Sequence, residues 1–302
     1  MKTKPTGLAK IWREVKRLFG RKTSCYDKFR SKLFIRDDGR VNIGNVSIDI
    51  VLGCNLRCAN CDHLSPYRKG FVPTEKLVHW FEVWSKKIHA DEIRLAGGEP
   101  FLHPDLASVI LESSRVWNDS VLKIVTNGLL VRQTSQDVFN AIKKANVEVI
   151  VSDHSGLGVP HEKVAAGCAR LKKNDISYNL RLSNKRWRVM HQQNEEGLPV
   201  SFQSSPHNAF TTCVPKQCPA LANNRLYKCT VLASVIEGTR DGSFPSTHWK
   251  DALTYNPLTP DADASTILEH FRTFSVAECC ICPEKIVYTE ATQLPASHKR
   301  IA

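Results

Sequence analysis

The stretch Cys54-Asn55-Leu56-Arg57-Cys58-Ala59-Asn60-Cys61 places three cysteines within eight residues, directly after the apolar run at residues 46–52. A short loop that presents three thiolates suits an iron–sulfur cube. Because such cubes usually take four cysteines, three of them leave one iron open for a small-molecule ligand. A zinc knuckle is the alternative, since closely spaced cysteines are also typical zinc ligands.

A second motif, Gly97-Gly98-Glu99-Pro100, follows after one helix-length segment, at the end of another strand-like run. By itself such a sequence indicates a turn, but its position after the cysteine motif makes the pair specific. Together the two motifs resemble the signature of the radical S-adenosylmethionine (radical SAM) superfamily. One departure is Asn60, which stands where that family usually has an aromatic or bulky residue.

The resemblance implies a [4Fe–4S] cluster on Cys54, Cys58 and Cys61, with S-adenosylmethionine chelated at the open iron. In this interpretation the glycine motif holds the amino group of the cofactor, and its glycines let the backbone approach the ligand. Ser152 and Arg181 would hold the carboxylate, since arginine can donate two parallel hydrogen bonds; a structural role is the alternative. The adenine of S-adenosylmethionine would then be contacted by backbone, His63 or Leu64. The predicted cofactor-binding residues are Gly97, Gly98, Glu99, Pro100, Thr126, Asn127, Ser152 and Arg181.

Strand and helix patterns alternate from residue 46 onward, which predicts a parallel sheet. The expected strands are 46–52, 92–96, 121–126, 147–152 and 178–182, with 186–191 or 199–203 as a sixth. The expected helices are 74–89, 106–117, 136–145 and 160–173. The motifs fall at the C-terminal ends of strands, where parallel β/α barrels carry their chemistry. The predicted fold is α/β, and the resemblance implies a partial (β/α)6 TIM-like barrel, open on one side, over residues 46–204.

Cysteines return after residue 205, where the alternation fades. Residues 218–229 predict a hairpin that turns at Asn223-Asn224, because asparagine tolerates positive φ. With the distant Cys279-Cys280-Ile281-Cys282, this pattern resembles a twitch/SPASM-like domain, assigned to residues 205–302. The resemblance implies a second, auxiliary [4Fe–4S] cluster on Cys218, Cys229, Cys279 and Cys282. Cys213 can replace Cys218, Cys280 can replace a neighbour, and a structural zinc site is the alternative.

The composition is that of a soluble globular protein, with 42% hydrophobic and 24% charged residues. No apolar run is long enough for a transmembrane span, and no signal sequence is visible, so we expect a cytoplasmic protein. Eleven cysteines in a reducing compartment favour metal sites over disulfides.

Most of the net charge of +12 lies in a basic extension at residues 1–45. Residues 8–19 predict an amphipathic helix with Leu8, Trp12 and Phe19 on its apolar face. That helix either packs on the body of the protein or makes a peripheral contact with an anionic membrane surface at the inner face of the membrane. A nucleic-acid arm is a third option, although no DNA binding is expected.

The resemblance implies reductive cleavage of S-adenosylmethionine to a 5'-deoxyadenosyl radical, which removes hydrogen from a substrate. An electron donor such as flavodoxin or ferredoxin is implied as a partner. Asp153 and His154 are the candidate catalytic residues, with a turn cap as the alternative. The expected substrate is a small polar molecule such as a sugar or aminocyclitol, which would be oxidised, dehydrated or epimerised. The alternatives are maturation of a ribosomal peptide and, in another class, an iron–sulfur or zinc protein that binds RNA or membrane through its basic arm.

Overall fold

The structure, a computed structural model, describes residues 29–182, 186–213 and 218–295. The amphipathic helix predicted at 8–19 and most of the basic extension lie outside the described residues. Within the described ranges, no helix has the length and apolar content needed to cross a bilayer.

The strands of the described residues alternate with helices over the first part of the chain, as predicted. In chain order they are β1 (Phe34–Ile35), β2 (Val41–Asn42), β3 (Asn45–Val51), β4 (Ile88–His89), β5 (Glu92–Gly97), β6 (Val121–Thr126), β7 (Glu148–Asp153), β8 (Tyr178–Leu182), β9 (Arg186–Arg188), β10 (Gln192–Gln193), β11 (Pro199–Val200), β12 (Ala220–Ala222), β13 (Arg225–Tyr227) and β14 (Tyr288–Glu290). The five strands predicted first are all present, with ends within one residue of the expected positions.

The α-helices of the described residues are α1 (Thr74–Trp84), α2 (Leu106–Val116), α3 (Gln136–Lys144), α4 (His161–Lys173), α5 (Pro206–Thr212), α6 (Thr230–Arg240) and α7 (Ala264–Arg272). The buried side chains of α1 follow helical spacing: Leu77, Trp80, Phe81 and Trp84. The helix predicted at 74–89 ends earlier than expected, because Ile88 and His89 pair in parallel with Val41 and Asn42.

A seven-stranded sheet in the order β13-β12-β3-β5-β6-β7-β8 forms the centre of the molecule. The strands from β12 to β8 are parallel, and only β13 runs antiparallel. Val46, Ile48 and Ile50 share a core with the helices. Alternate residues point to the other face of the sheet, where polar side chains are common. This α/β architecture is consistent with a partial TIM-like barrel.

The sixth parallel strand is β12, which was not among the two candidates. Residues 186–188 pair with β14 instead, and residues 199–200 pair with β10. The predicted hairpin is present, and Asn223 and Asn224 both take left-handed conformations, with φ of 47° and 56°. Its first strand joins the sheet edge beside β3, so a segment expected in a separate domain extends the barrel sheet.

A second core lies between the C-terminal region and the loop that follows β3. Tyr227 and Val231 pack there with Leu64 and Tyr67, which come just after the three-cysteine motif. The C-terminal region therefore supports the backbone that carries the cysteines. The domain boundary at residue 205 remains a prediction.

Candidate active site

The three-cysteine loop begins directly beyond β3 and is largely shielded from solvent. Cys58 is only 7% exposed, and the backbone N–H of Leu56 donates to Cys54 Sγ at 3.4 Å. Burial, reinforced by neighbouring negative charges, raises the pKa of Cys54 to about 12 and that of Cys61 to about 11. Burial also raises the pKa of Cys58. Metal loading must therefore displace protons from these thiols.

Gly97 and Gly98 lie against the backbone of the chain that leads into this loop. A Cβ at Gly97 would collide with the carbonyl oxygen of Val51, and a Cβ at Gly98 would collide with that of Gly53. The Gly98 N–H donates to Val51 O at 2.8 Å. The sequence-based reason for the glycines was approach to a ligand. The structure gives a different reason, because the protein's own backbone occupies the space that their side chains would need.

Glu99 is fully buried at the end of the same motif. Its carboxylate accepts hydrogen bonds from Thr126 Oγ1 at 2.6 Å, Asn127 N–H at 2.9 Å and Phe101 N–H at 3.2 Å. Burial raises the pKa of Glu99 to about 7, although these three donors oppose the shift. The side chain thus joins the end of β5 to the end of β6.

Asn127 completes the connection to the cysteine loop. Its Nδ2 donates to Asn55 Oδ1 at 2.7 Å and lies 3.8 Å from Cys54 Sγ. Three sequence motifs that are far apart in the chain therefore meet at one edge of the sheet, where parallel strands end.

Ser152 and Arg181 are direct partners in the parallel register of β7 and β8. Arg181 is exposed and Ser152 is partly buried. Ser152 lies one strand beyond Thr126 and Arg181 two strands beyond it, and both share the sheet face opposite Val151. The register places both side chains where one ligand carboxylate could contact them.

Asp153 and His154, the candidate catalytic residues, have different surroundings. Asp153 is 1% exposed, and its carboxylate accepts from Ser155 N–H at 2.8 Å and lies 2.8 Å from His161 Nδ1. Although burial opposes ionisation, these partners hold the pKa of Asp153 below its usual range. Its position on the helix side of β7 favours the turn-cap alternative over substrate contact.

His154 directly follows β7 and packs against Trp187, with ring centroids 5.2 Å apart and planes tilted by 49°. Burial lowers the pKa of His154, so the neutral ring is favoured at neutral pH.

The adenine candidates are also engaged with the protein. His63 Nδ1 lies 3.0 Å from Asp49 Oδ1. Although burial opposes it, the carboxylates of Asp49 and Asp62 raise the pKa of His63 to about 9. Leu64 belongs to the second core, so its side chain faces protein.

Comparison with known proteins finds a family model that matches the part of the chain that carries the site. Residues 48–177 match the Radical SAM superfamily. They form a radical SAM domain. This assignment covers the cysteine loop, the glycine motif and the strands β5 to β7, and it implies a [4Fe–4S] cluster and S-adenosylmethionine as cofactors.

Curated relatives resemble the chain over this domain. The GTP 3',8-cyclase of Clostridium acetobutylicum is 27% identical over 114 residues, which are 36% of this chain and 35% of that protein. The GTP 3',8-cyclase of Campylobacter jejuni subsp. doylei is 34% identical over 118 residues, which are 37% of this chain and 36% of that protein. The chain thus spans about a third of the length of the curated relatives it matches.

Solved structures resemble the chain more distantly. A crystal structure of BtrN in complex with AdoMet and 2-DOIA is 13% identical, with a TM-score of 0.43, and the match covers 81% of this chain and 98% of that one. Native anSMEcpe with bound AdoMet is 19% identical, with a TM-score of 0.36, and the match covers 45% of this chain and 43% of that one.

A C-terminal segment that the sequence did not single out lies across the radical SAM cysteine loop. Ala59 N–H donates to Thr292 O at 3.0 Å, and Leu294 N–H donates to Arg57 O at 2.8 Å. The side chain of Gln293 accepts from Arg57 N–H at 3.3 Å and donates to Leu157 O at 3.1 Å. This segment therefore ties the loop to the region beyond β7. No motif marks it, because the bonds to the loop are mainly made by backbone.

The C-terminal cysteines line a small apolar cavity between α5, α6 and the turn at residues 277–281. The cysteines in its wall are Cys213, Cys229, Cys279 and Cys282. Cys218 is not in the wall, although it was predicted as a ligand. Its thiol interacts with the guanidinium of Arg94, and burial raises its pKa to about 11. Cys213 lines the cavity, and Cys218 lies outside its wall.

Within the described residues, no group of three or more His, Cys, Asp or Glu side chains is placed so that it could hold a metal ion. The four cavity cysteines share one wall, and in a cube each thiolate binds a different iron. Their donor set, four thiols in an apolar cavity, fits a metal–thiolate centre. Cys168 is buried in the helix-side core, as expected of a structural cysteine.

Replacing Glu99 by glutamine is expected to remove part of the pH dependence of stability in protein purified without cofactors. The folded pKa of about 7 exceeds the ordinary value of 4.5. Below pH 4.5 the Glu99 carboxyl is protonated in both the folded and the unfolded chain. As the pH rises towards the folded pKa, the unfolded chain loses this proton first, so the free energy of unfolding falls. The loss is up to about 3 kcal/mol between about pH 5 and about pH 8.

Chemical denaturation at both pH values would measure this difference. The Glu99→Gln variant keeps the size of the side chain and an acceptor oxygen but has no charge to desolvate. It should lose less stability than the parent over the same interval. An identical decline in both proteins would show that Glu99 does not titrate as its surroundings indicate.

Proposed function

We propose that the chain is a radical SAM enzyme that abstracts hydrogen from a small polar substrate. The observation that carries this proposal is the junction made by Glu99 and Asn127, which links the glycine motif to the cysteine loop. A protein that merely carried a cluster would have no need of such an edge beside it.

The roles of the chain's own residues follow from their positions. The thiolates of Cys54, Cys58 and Cys61 would hold the cluster. The backbone of Gly97–Pro100 would face the amino group of S-adenosylmethionine, and Ser152 with Arg181 would hold its carboxylate. When bound, these cofactors supply a 5'-deoxyadenosyl radical. Glu99 and Asn127 would hold the glycine motif and the cysteine loop at a fixed position relative to each other, because a small misplacement of reacting groups slows catalysis.

Charged side chains form a network on one face of the sheet, towards the N-terminal ends of the strands and away from the edge that carries the motifs. Arg94, Lys123 and Glu148 are register neighbours on β5, β6 and β7. Lys123 Nζ lies 3.0 Å from carboxylate oxygens of both Glu92 and Glu148, and Arg94 lies 2.7 Å from Glu92. These ion pairs join neighbouring strands, and the proposal of a polar substrate does not depend on them.

The curated relatives bear on the class of substrate. The comparisons do not support the expected sugar or aminocyclitol, nor maturation of a peptide. The curated relatives are named for the cyclisation of GTP. Because the match is confined to the radical SAM domain, a guanine nucleotide is a second candidate to be tested beside the general class of small polar molecules.

We further propose an auxiliary metal–thiolate centre on Cys213, Cys229, Cys279 and Cys282. Their common cavity supports this set, with Cys213 in place of Cys218. An iron–sulfur cluster is favoured by the iron–sulfur chemistry of the neighbouring domain, and zinc remains the alternative.

The test is formation of 5'-deoxyadenosine by anaerobically reconstituted protein with dithionite and S-adenosylmethionine. We expect slow formation without substrate and faster formation when the correct substrate is added. GTP and a set of sugars and aminocyclitols would be compared at equal concentration. Fully iron-loaded protein that forms no 5'-deoxyadenosine would refute the enzymatic proposal; stimulation by GTP alone would select the nucleotide.

A further inference from the structure

Lys228 is a buried cation in the wall of the four-cysteine cavity. The residue is 6% exposed and directly precedes Cys229, where strand β13 leads into α6. Long charged side chains are rarely buried to this extent without an ionic partner. Its position therefore calls for a physical explanation.

The partners of the Lys228 ammonium group are backbone carbonyls and the ring of Phe210, whose centroid lies 6.0 Å from Nζ. Nζ donates to His270 O at 3.0 Å and to Thr273 O at 2.6 Å, both at the C-terminal end of α7. The carbonyls at a helix end carry partial negative charge, so they favour a cation there. They also hold the ammonium group in one place beside the cavity.

No carboxylate in the described part of the chain lies within ion-pair distance of Lys228. Glu278 lines the same cavity, but its carboxylate accepts a hydrogen bond from Thr254 Oγ1 at 2.8 Å. A buried charge is costly unless an opposite charge compensates it. Two neutral carbonyls and an aromatic ring compensate it only in part.

The four thiols are the remaining source of negative charge. When four thiolates bind a dicationic iron–sulfur core or a zinc ion, the centre has a net negative charge. That charge would lie in the cavity whose wall includes Lys228. The cation and the proposed centre thus complement each other.

We propose that Lys228 is the counter-charge of a metal–thiolate centre in this cavity and that it stabilises the reduced form when the centre is an iron–sulfur cluster. This inference rests on the proposed auxiliary centre. Reduction adds one electron to the cluster, and no proton or bond needs to change at Lys228. Because the reduced cluster is more negative, a fixed neighbouring cation raises its reduction potential.

The experiment uses the full chain with Cys54, Cys58 and Cys61 replaced by alanine, so that only the auxiliary centre remains. In this background, Lys228→Met removes the charge and keeps much of the apolar stem, while Lys228→Arg keeps the charge. Iron content is measured first. A titration with dithionite, followed by electron paramagnetic resonance, then gives the midpoint potential of each variant.

We expect Lys228→Met to disfavour reduction by at least tenfold, a shift of 59 mV for one electron, and Lys228→Arg to shift it less. An unchanged potential in Lys228→Met with unchanged iron would overturn the inference and leave Lys228 as a helix cap, visible only as lower thermal stability. If the background protein holds zinc, a tenfold loss of zinc affinity in Lys228→Met is expected, and equal affinity would overturn the inference. If the background protein holds neither iron nor zinc, the auxiliary centre itself is refuted. The absence of metal distinguishes this result from an unchanged potential or affinity in Lys228→Met.

Discussion

Replacing Cys54, Cys58 and Cys61 together by alanine is expected to abolish 5'-deoxyadenosine formation and to lower iron from about eight to about four atoms per chain. The three thiols form one loop beyond β3, and no other cysteine of the described residues lies in that loop. Without them the open iron that would chelate S-adenosylmethionine cannot be held. Iron assays and chromatographic detection of 5'-deoxyadenosine measure the two effects.

Cys168→Ala is the matched control, because this buried cysteine lies in α4 and packs in the helix-side core. Its loss should lower stability by about 1 kcal/mol and leave the iron content unchanged. A parent protein with about four irons that falls to none in the triple variant would contradict a second cluster. Retention of 5'-deoxyadenosine formation in the triple variant would contradict the assignment of the loop.

Cys213→Ala is expected to remove the auxiliary centre, whereas Cys218→Ala is expected to retain it. Cys213 lines the cavity with Cys229, Cys279 and Cys282, and Cys218 interacts with Arg94. Loss of one of four ligands weakens a metal site strongly, so iron should fall by about four atoms per chain only in the Cys213 variant. Absorption spectra and iron assays on anaerobically purified protein give the comparison.

Cys280→Ala serves as a second control, since Cys280 lies between two lining cysteines but is not itself in the cavity wall. We expect it to keep the centre. If Cys218→Ala loses iron and Cys213→Ala does not, the ligand set predicted from sequence is right and the cavity is not the site. Equal iron in all three variants would argue against a four-thiolate cluster there.

Local patterns in the sequence predicted the elements of the barrel well. The strands β3, β5, β6, β7 and β8 and the helices α2 to α4 lie within one residue of their expected ends. Alternation with period two and helical spacing are set by residues close in the chain, so they are readable without the fold. The turn at Asn223-Asn224 belongs to the same class, because positive φ is a property of the residues themselves.

The helix predicted at 74–89 and the sixth strand show where local patterns stop being sufficient. Ile88 and His89 fit the pattern of the preceding helix, but they form a strand because they pair with β2. Strand β12 is only three residues long and gains its place by pairing with β3. In both cases a partner distant in sequence decides the outcome.

For the site, the sequence by itself determined which motifs belong together, because Cys54, Cys58, Cys61 and Gly97–Pro100 are defined by spacing. Only the tertiary structure decided that the glycines make room for Val51 and Gly53, that Asp153 caps a turn, and that residues 292–294 cross the cysteine loop. It also placed Cys213 in the cavity wall and left out Cys218, which had been preferred from the sequence. The physical reason is that spacing places residues along an element, whereas the direction of a side chain and its nearest neighbours depend on how distant elements pack.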